Sequence, residues 1–523
     1  MNKPFEIYEE YRKAADFKSA LGKRGLYEQN RINERFYIGD QWYGAKCGND
    51  RPLVRHNIIK RIGDYKMSQI LSAPLSVSFS AEGIPTVDNS KNSRNDEINT
   101  AMSALSDYYS VTAERVGLTS LYATALRNAY IGGTGILYTY WNGDIKTGLY
   151  ADKEMRMPIK GDISCEVLNI ENVYFGDPYI SDVQQQPYII IASCCETEAV
   201  LREARRNGAD ISTLRAIEEG ADDGKVTVFT KLFKEYKPGG GYTIKSVKVT
   251  ENATVRKVFD TGLSLYPLAV FSWEKREGLI YGESEITYLI PNQIAINRMI
   301  TANVWSAMTT GMPMMVINGD TVPDGITNEP GQIVKVYGSN EEVSGAVKYV
   351  APPDFSRNFD QSLQTLIDNT LTQSGANEVA LGDSRADNAT ALITMQNAAI
   401  MPLQIVKNRF YSFAEEISRI WADFWISCYG KRAIKQNVGK GTKYFTFDAD
   451  RLRGLIINAK IEVGTGTVYS ERECVNTLLN LFEKGIIDKR QFLERLPDGI
   501  VPDRQGLLNT KKTESEENKN EGI

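Results

Sequence analysis

Apolar positions recur along this chain in three textures, and the changes of texture divide it. Residues 5–33 carry apolar side chains at helical spacing, with Gly22 and Gly25 as interruptions; the aromatic run Phe36-Tyr37-Ile38 follows and ends at the turn Gly39-Asp40-Gln41-Trp42. Residues 81–99 are rich in Asn, Ser and Asp and read as a loop. Residues 103–128 then read as one helix, with Leu118, Tyr122, Ala125 and Leu126 on one side. Between 136 and 273 the pattern turns to short aromatic and β-branched runs, such as Ile136-Leu137-Tyr138-Thr139-Tyr140-Trp141 and Tyr188-Ile189-Ile190-Ile191. Lys237-Pro238-Gly239-Gly240-Gly241 between two such runs marks a hairpin, and one helix is expected near residues 196–207.

After Gly282 the period lengthens again. Residues 283–310 predict one long helix, on which Leu289, Ile296, Ile300 and Val304 share a face. Gly311 and Pro313 stop it. Residues 314–353 alternate short strands (314–317, 333–336, 347–350) with turns. A second helix is expected to start near a cap at Asp354 or Ser356 and to end at Gly375. A polar loop, residues 376–387, leads to a third helix over residues 388–429. Leu403, Val406, Phe410, Phe413, Ile417, Ile420 and Phe424 recur on it at alternating steps of three and four, a heptad seam. Pro402 is expected to kink this helix. A strand and then two helices separated by Gly485 close the folded part, and residues 501–523 read as a disordered tail. The fold class is therefore α+β with an antiparallel sheet.

Composition narrows the chemistry. The 523 residues carry 61 Lys and Arg against 66 Asp and Glu, a formal charge of −5. Proteins that grip nucleic acid by neutralising phosphates show the opposite balance. Residues 1–66 are locally basic, but the charges are mixed and read as a solvated face. His56 is the chain's one histidine, so a histidine-rich metal site is excluded, and a Ser-His-Asp or Cys-His system would have to use it. It stands among basic residues and reads as a partly exposed loop histidine. The cysteines (Cys47, Cys165, Cys194, Cys195, Cys428 and Cys474) form no CxxC pair and read as reduced and intracellular. Gly132-Gly133-Thr134-Gly135 is no dinucleotide fingerprint, because Tyr138 occupies the third glycine position. Gly439-Lys440-Gly441-Thr442 lacks phosphate-loop spacing, and the acidic residues are too dispersed for a magnesium nuclease. No cofactor is expected. Residues 299–319 and 388–406 are uncharged and long enough to span a bilayer, yet polar side chains recur in both, so burial against protein is the better reading.

The order helix, small β unit, helix, polar loop, long helix resembles the portal proteins of tailed bacteriophages, of SPP1-like type. The residues that carry the resemblance are Pro267-Leu268-Ala269-Val270-Phe271, Gly282-Glu283-Ser284-Glu285-Ile286, and Leu289-Ile290-Pro291-Asn292-Gln293-Ile294-Ala295-Ile296-Asn297. Gly39-Asp40-Gln41-Trp42, Arg51-Pro52, Asn57-Ile58-Ile59 and Glu483-Lys484-Gly485-Ile486-Ile487-Asp488-Lys489 add to it. The resemblance implies a wing (residues 1–282 with the long kinked helix 388–430), a two-helix stem (283–310 and 354–375), a clip (311–353), a tunnel loop (376–387) and a crown (431–500). It implies a homo-oligomeric ring, usually of twelve subunits, at the unique capsid vertex of the virion, assembled in the host cytoplasm. Expected partners are double-stranded DNA passing without sequence preference, the terminase large subunit, head-completion or adaptor proteins, and major capsid and scaffolding proteins; no membrane is involved. No catalysis belongs to the portal itself. The rivals are a DNA-packaging ATPase or nuclease and a non-ring capsid or baseplate protein.

Two residue sets follow. In the tunnel loop, Asn377, Glu378, Asp383, Ser384, Arg385 and Asp387 are DNA-channel candidates. Three acids against one arginine per copy would make a ring-shaped collar that repels phosphates. On the stem, Leu289, Ile296, Ile300 and Val304 are the subunit-contact candidates, since charge is depleted from buried interface centres. For the heptad seam, the expectation at Phe410, Phe413 and Phe424 is a core within the chain.

Overall fold

The computed structural model describes residues 3–45, 52–82, 92–150, 156–310, 314–317, 339, 347–350, 357–376, 401–438, 441–449, 452, 455–463 and 468–496. These form two compact units. The first comprises residues 1–31, 63–285 and 384–523, and the second residues 32–62 and 286–383.

In the first unit, α1 (Pro4–Ala20) lies on a five-stranded antiparallel sheet of order β4-β5-β6-β7-β8, built from Val173–Phe175, Tyr188–Glu196, Lys225–Tyr236, Tyr242–Val249 and Thr254–Asp260. Ile7, Tyr8 and Tyr11 of α1 pack on Tyr174 and Phe229, with Tyr11 and Phe229 ring centroids 4.6 Å apart. The Lys18 ammonium donates to the Ile170 carbonyl (2.6 Å) and lies 3.7 Å from the Tyr174 ring centre, so the far end of α1 is fastened as well. The hairpin expected at 237–241 joins β6 to β7, with Tyr236 opposite Tyr242. The helix expected near 196–207 is α6 (Thr197–Arg206), followed by α7 (Ile211–Glu219), which the sequence reading did not separate from its surroundings. The two helices cover Val226, Val228 and Val255.

A second sheet runs β3-β2-β9, from Pro158–Leu168, Thr134–Tyr150 and Leu268–Ser272. α4 (Asn92–Val116) and α5 (Leu118–Gly132) correct two expectations. The stretch read as loop is helical from Asn92, where Ile98, Ala101, Met102 and Leu105 are buried at helical spacing behind a polar sequence. The single helix 103–128 is two, because Gly117 adopts a left-handed φ of 66° that ends one and starts the other.

α10 (Gln404–Cys428) is the central post of this unit. Phe410, Phe413, Ile417, Ile420 and Phe424 are all buried, which makes the heptad seam core within the chain, as expected for its phenylalanines. Phe410 meets Tyr122 edge-on at 5.1 Å, Trp421 tilts onto Tyr109 at 5.0 Å, and Trp425 packs on Tyr108 at 5.6 Å. Beneath its end, buried Asp162 accepts from the hydroxyls of Tyr108 and Tyr429 and pairs with Arg115 at 3.1 Å. Pro402 lies in a 3-10 turn, Met401–Leu403, just before this helix; residues 388–400 are outside the described set. A hairpin of β12 (Lys431–Val438) and β13 (Gly441–Asp448), not anticipated from sequence, follows. The expected last strand, β14 (Ile456–Val463), pairs with β1 (Leu75–Glu82), and α11 (Val468–Glu483) and α12 (Lys489–Arg495) are the two terminal helices.

The second unit holds the end of α2 (Leu26–Ile38), the start of α3 (Ile58–Leu71), the strap between them, α8 (Glu285–Thr310 in full) and α9 (Arg357–Gln373). Met314–Ile317 (β10) and Val347–Val350 (β11) pair antiparallel, as the sequence expects; residues 333–336 lie outside the described set. Gly375, at φ 74°, follows α9 as the expected stop.

Candidate functional site: the long helix and its fastenings

α8 is almost free of charge; Glu285 and Arg298 are its charged residues. Its side chains divide by angle into three faces. One carries Gln293, Asn297 and Thr301, each a turn apart. Gln293 and Asn297 are 1% and 2% exposed, so their amides must find partners within the chain. They find them in the strap. Gln293 Oε1 accepts from the amides of Ile58 (3.0 Å) and Ile59 (3.3 Å), the open N-terminus of α3. Its Nε2 donates to the His56 carbonyl (2.6 Å) and to Asn297 Oδ1 (3.0 Å). Asn297 Oδ1 also accepts from the His56 amide (3.0 Å), and its Nδ2 donates to Gln41 Oε1 (2.6 Å). Thr301 exchanges hydrogen bonds with the Val54 backbone.

The strap ties itself in the same way. Trp42 Nε1 donates to the Val54 carbonyl (3.0 Å), Arg55 to that of Gly39 (2.8 Å) and Asn57 Nδ2 to that of Tyr37 (2.9 Å). Asn57 Oδ1 accepts from Lys60 and so caps α3. The short motifs at 39–42, 57–59 and 289–297, far apart in sequence, thus meet in one polar lock. His56 enters it through its backbone, and its residue is exposed in the strap, as expected of a loop histidine.

The second face of α8 meets α9. Asn292 Nδ2 donates to Thr370 Oγ1 (3.2 Å) and Asn303 Nδ2 to Asp360 Oδ1 (2.9 Å), so the helices run antiparallel. Leu289, Ile296, Ile300 and Val304 lie between these two faces, on the inner side of α8. Leu289 is 7% and Ile296 0% exposed, covered by the chain itself; Ile300 and Val304 are half-buried. The stripe identified a covered side of the helix, but at Leu289 and Ile296 the chain supplies the cover. The channel candidates Asn377, Glu378, Asp383, Ser384, Arg385 and Asp387 lie outside the described residues.

Ahead of α8, the residues of Gly282-Glu283-Ser284-Glu285 are fixed within the first unit. The Gly282 amide donates to Thr134 Oγ1 (2.9 Å) and Ser284 Oγ to the Tyr130 carbonyl (2.6 Å). Glu283 and Glu274 exchange backbone hydrogen bonds, and Glu285 accepts from Lys66 (2.6 Å) and Trp273 Nε1 (3.0 Å). Gly282 and Gly133 approach so closely that a Cβ on Gly282 would lie 2.3 Å from the Gly133 oxygen. The glycine run at 132–135 is therefore a place of close backbone approach, not a phosphate cradle.

A groove of about 680 Å³ in the first unit is lined by Asp182, Gln184, Lys275, Arg409, Glu416 and Arg419, among others. Burial pushes the Glu416 carboxyl up to about 7, opposed by the Gln184 hydrogen bond and by Arg419. Among the described residues no group of three His, Cys, Asp or Glu could hold a metal ion, and Cys165, Cys194, Cys195 and Cys428 are free thiols. No helix of the described residues is long and apolar enough to cross a membrane.

No family model matches the chain, and no curated protein matches it. Among solved structures it is similar to a chain of "Neck of empty GTA particle computed with C6 symmetry", a gene transfer agent particle, at 10% identity and a TM-score of 0.40, over 92% of this chain and 93% of that chain.

Proposed function

We propose that the chain is a non-enzymatic portal-type head-to-tail connector of a phage-like particle. Copies of it form a ring that conducts double-stranded DNA and offers a docking surface to the packaging motor. The observation that carries the reading is the construction of the second unit. α8 and α9 run antiparallel, hydrogen-bonded at two points about 16 Å apart along α8, and the β10–β11 pair is carried on the chain between them. That is the helix, small β unit, helix order on which the portal resemblance rests. The polar lock supports it too, because the motifs that resemble portal sequences have one shared structural task. In this reading the β10–β11 segment faces the motor, and neither a cofactor nor a membrane takes part.

Replacing residues 314–350 by a short linker is expected to leave the assembly intact and to end binding of the terminase large subunit. A pull-down of terminase on the assembled variant checks it; undiminished binding contradicts the assignment of the docking surface.

A further inference from the structure

The third face of α8 is uncovered. Tyr288, Pro291, Ala295, Arg298 and Ala302 recur at alternating steps of three and four, the spacing of a seam that meets another helix. Tyr288 is 56% exposed, and Pro291, Arg298 and Ala302 are exposed too. The small residues at 295 and 302 leave room for a neighbouring backbone. The face is about 20 Å long, and its one charge is Arg298, which no ion pair of the described residues engages. α9 has a counterpart. Gln361, Thr365, Asp368 and Thr372 recur at steps of four, three and four on the side opposite buried Thr370. Gln361, Thr365 and Thr372 are exposed and Asp368 is half-buried. Between residues 361 and 372 Asp368 is the one charge of this face, and among the described residues it accepts from Gln364, four residues earlier on its own helix.

We propose that the outer face of α8 docks on the outer face of α9 of a second copy of this chain, with Arg298 set against Asp368. Two helix faces share a matching period, and the stretches 288–302 and 361–372 each carry a single charge, of opposite sign. Because the two faces are different patches, the contact is head-to-tail and passes from copy to copy, as a closed ring requires. The inference rests on the ring reading and names the surface that closes it.

The test uses R298E, D368R and the double variant R298E/D368R, with assembly followed by sedimentation as a function of concentration. Like charges facing each other at an interface are strongly unfavourable. Each single variant is therefore expected to need at least tenfold more protein for half-assembly, with an unchanged melting temperature of the single chain. The double variant restores assembly, and so does mixing the two single variants, since every junction then carries opposite charges. Single variants that assemble like the parent overturn the proposal. So do single variants that fail to assemble and are rescued by neither the double variant nor the mixture. A parent chain that stays monomeric at every concentration overturns the ring reading, and this contact with it.

Discussion

Replacing Gln293 by leucine is expected to loosen the strap more than any other change to a polar side chain of α8. Leucine cannot supply the Gln293 hydrogen bonds to three backbone groups, the amides of Ile58 and Ile59 and the carbonyl of His56, of which the Ile58 amide and the His56 carbonyl keep only their bond to each other (2.9 Å). It also removes the donor that fixes Asn297. A buried group stripped of its hydrogen bond costs about 1–3 kcal/mol. Water reaches some of these groups once the strap loosens, so the net loss is about 2–4 kcal/mol. Hydrogen exchange reads it directly: the Ile58 and Ile59 amides should exchange roughly 30- to 1,000-fold faster in Gln293→Leu. Amides of the five-stranded sheet of the first unit should keep their rates. Unchanged protection at 58 and 59 would show that Gln293 does not hold the strap.

Gly282→Ala is the second large effect. The added methyl would lie 2.3 Å from the Gly133 oxygen, 2.9 Å from Ser272 Cβ and 3.1 Å from the Glu274 oxygen. Two of these neighbours are backbone and cannot swing aside. The paired Glu274–Glu283 hydrogen bonds would have to break for the chain to make room. Overpacking commonly costs 1–3 kcal/mol, and a backbone clash lies at or above the top of that range, so a loss of more than about 3 kcal/mol is expected, seen as a lower midpoint of thermal unfolding. Gly143→Ala is the control: its added methyl meets nothing within 4 Å, and the change should fall within about 0.5 kcal/mol of neutral. Equal midpoints for the two variants would remove the close-approach account of the glycine run.

These predictions also show what the sequence discloses and what it hides. Long periodic segments were legible: α8, α9 and the seam of α10 follow from apolar spacing, because burying one side of a helix requires it. Polar camouflage concealed the first turns of α4, whose Asn, Ser and Asp residues resemble loop composition although Ile98 and Met102 behind them are buried. Gly117 inside a helical pattern could have signalled the break before α5, but a lone glycine does not announce a left-handed φ. At Leu289 and Ile296 the stripe marks a face that the chain itself covers, and periodicity cannot tell a neighbouring copy from a neighbouring helix. The polar lock had a visible signal, two amide residues four apart in a nearly uncharged helix; their partners, more than 200 residues away, had none. The exposed seam of α8 was also written in the sequence, but Tyr, Pro, Ala and Arg do not register as an apolar repeat.

Electron microscopy of the purified full-length chain tests the central claim most directly. The account predicts closed rings, viewed end-on, with a central hole wide enough for B-form DNA. Single particles of one chain's size, open filaments, or rings too narrow for a duplex would contradict it.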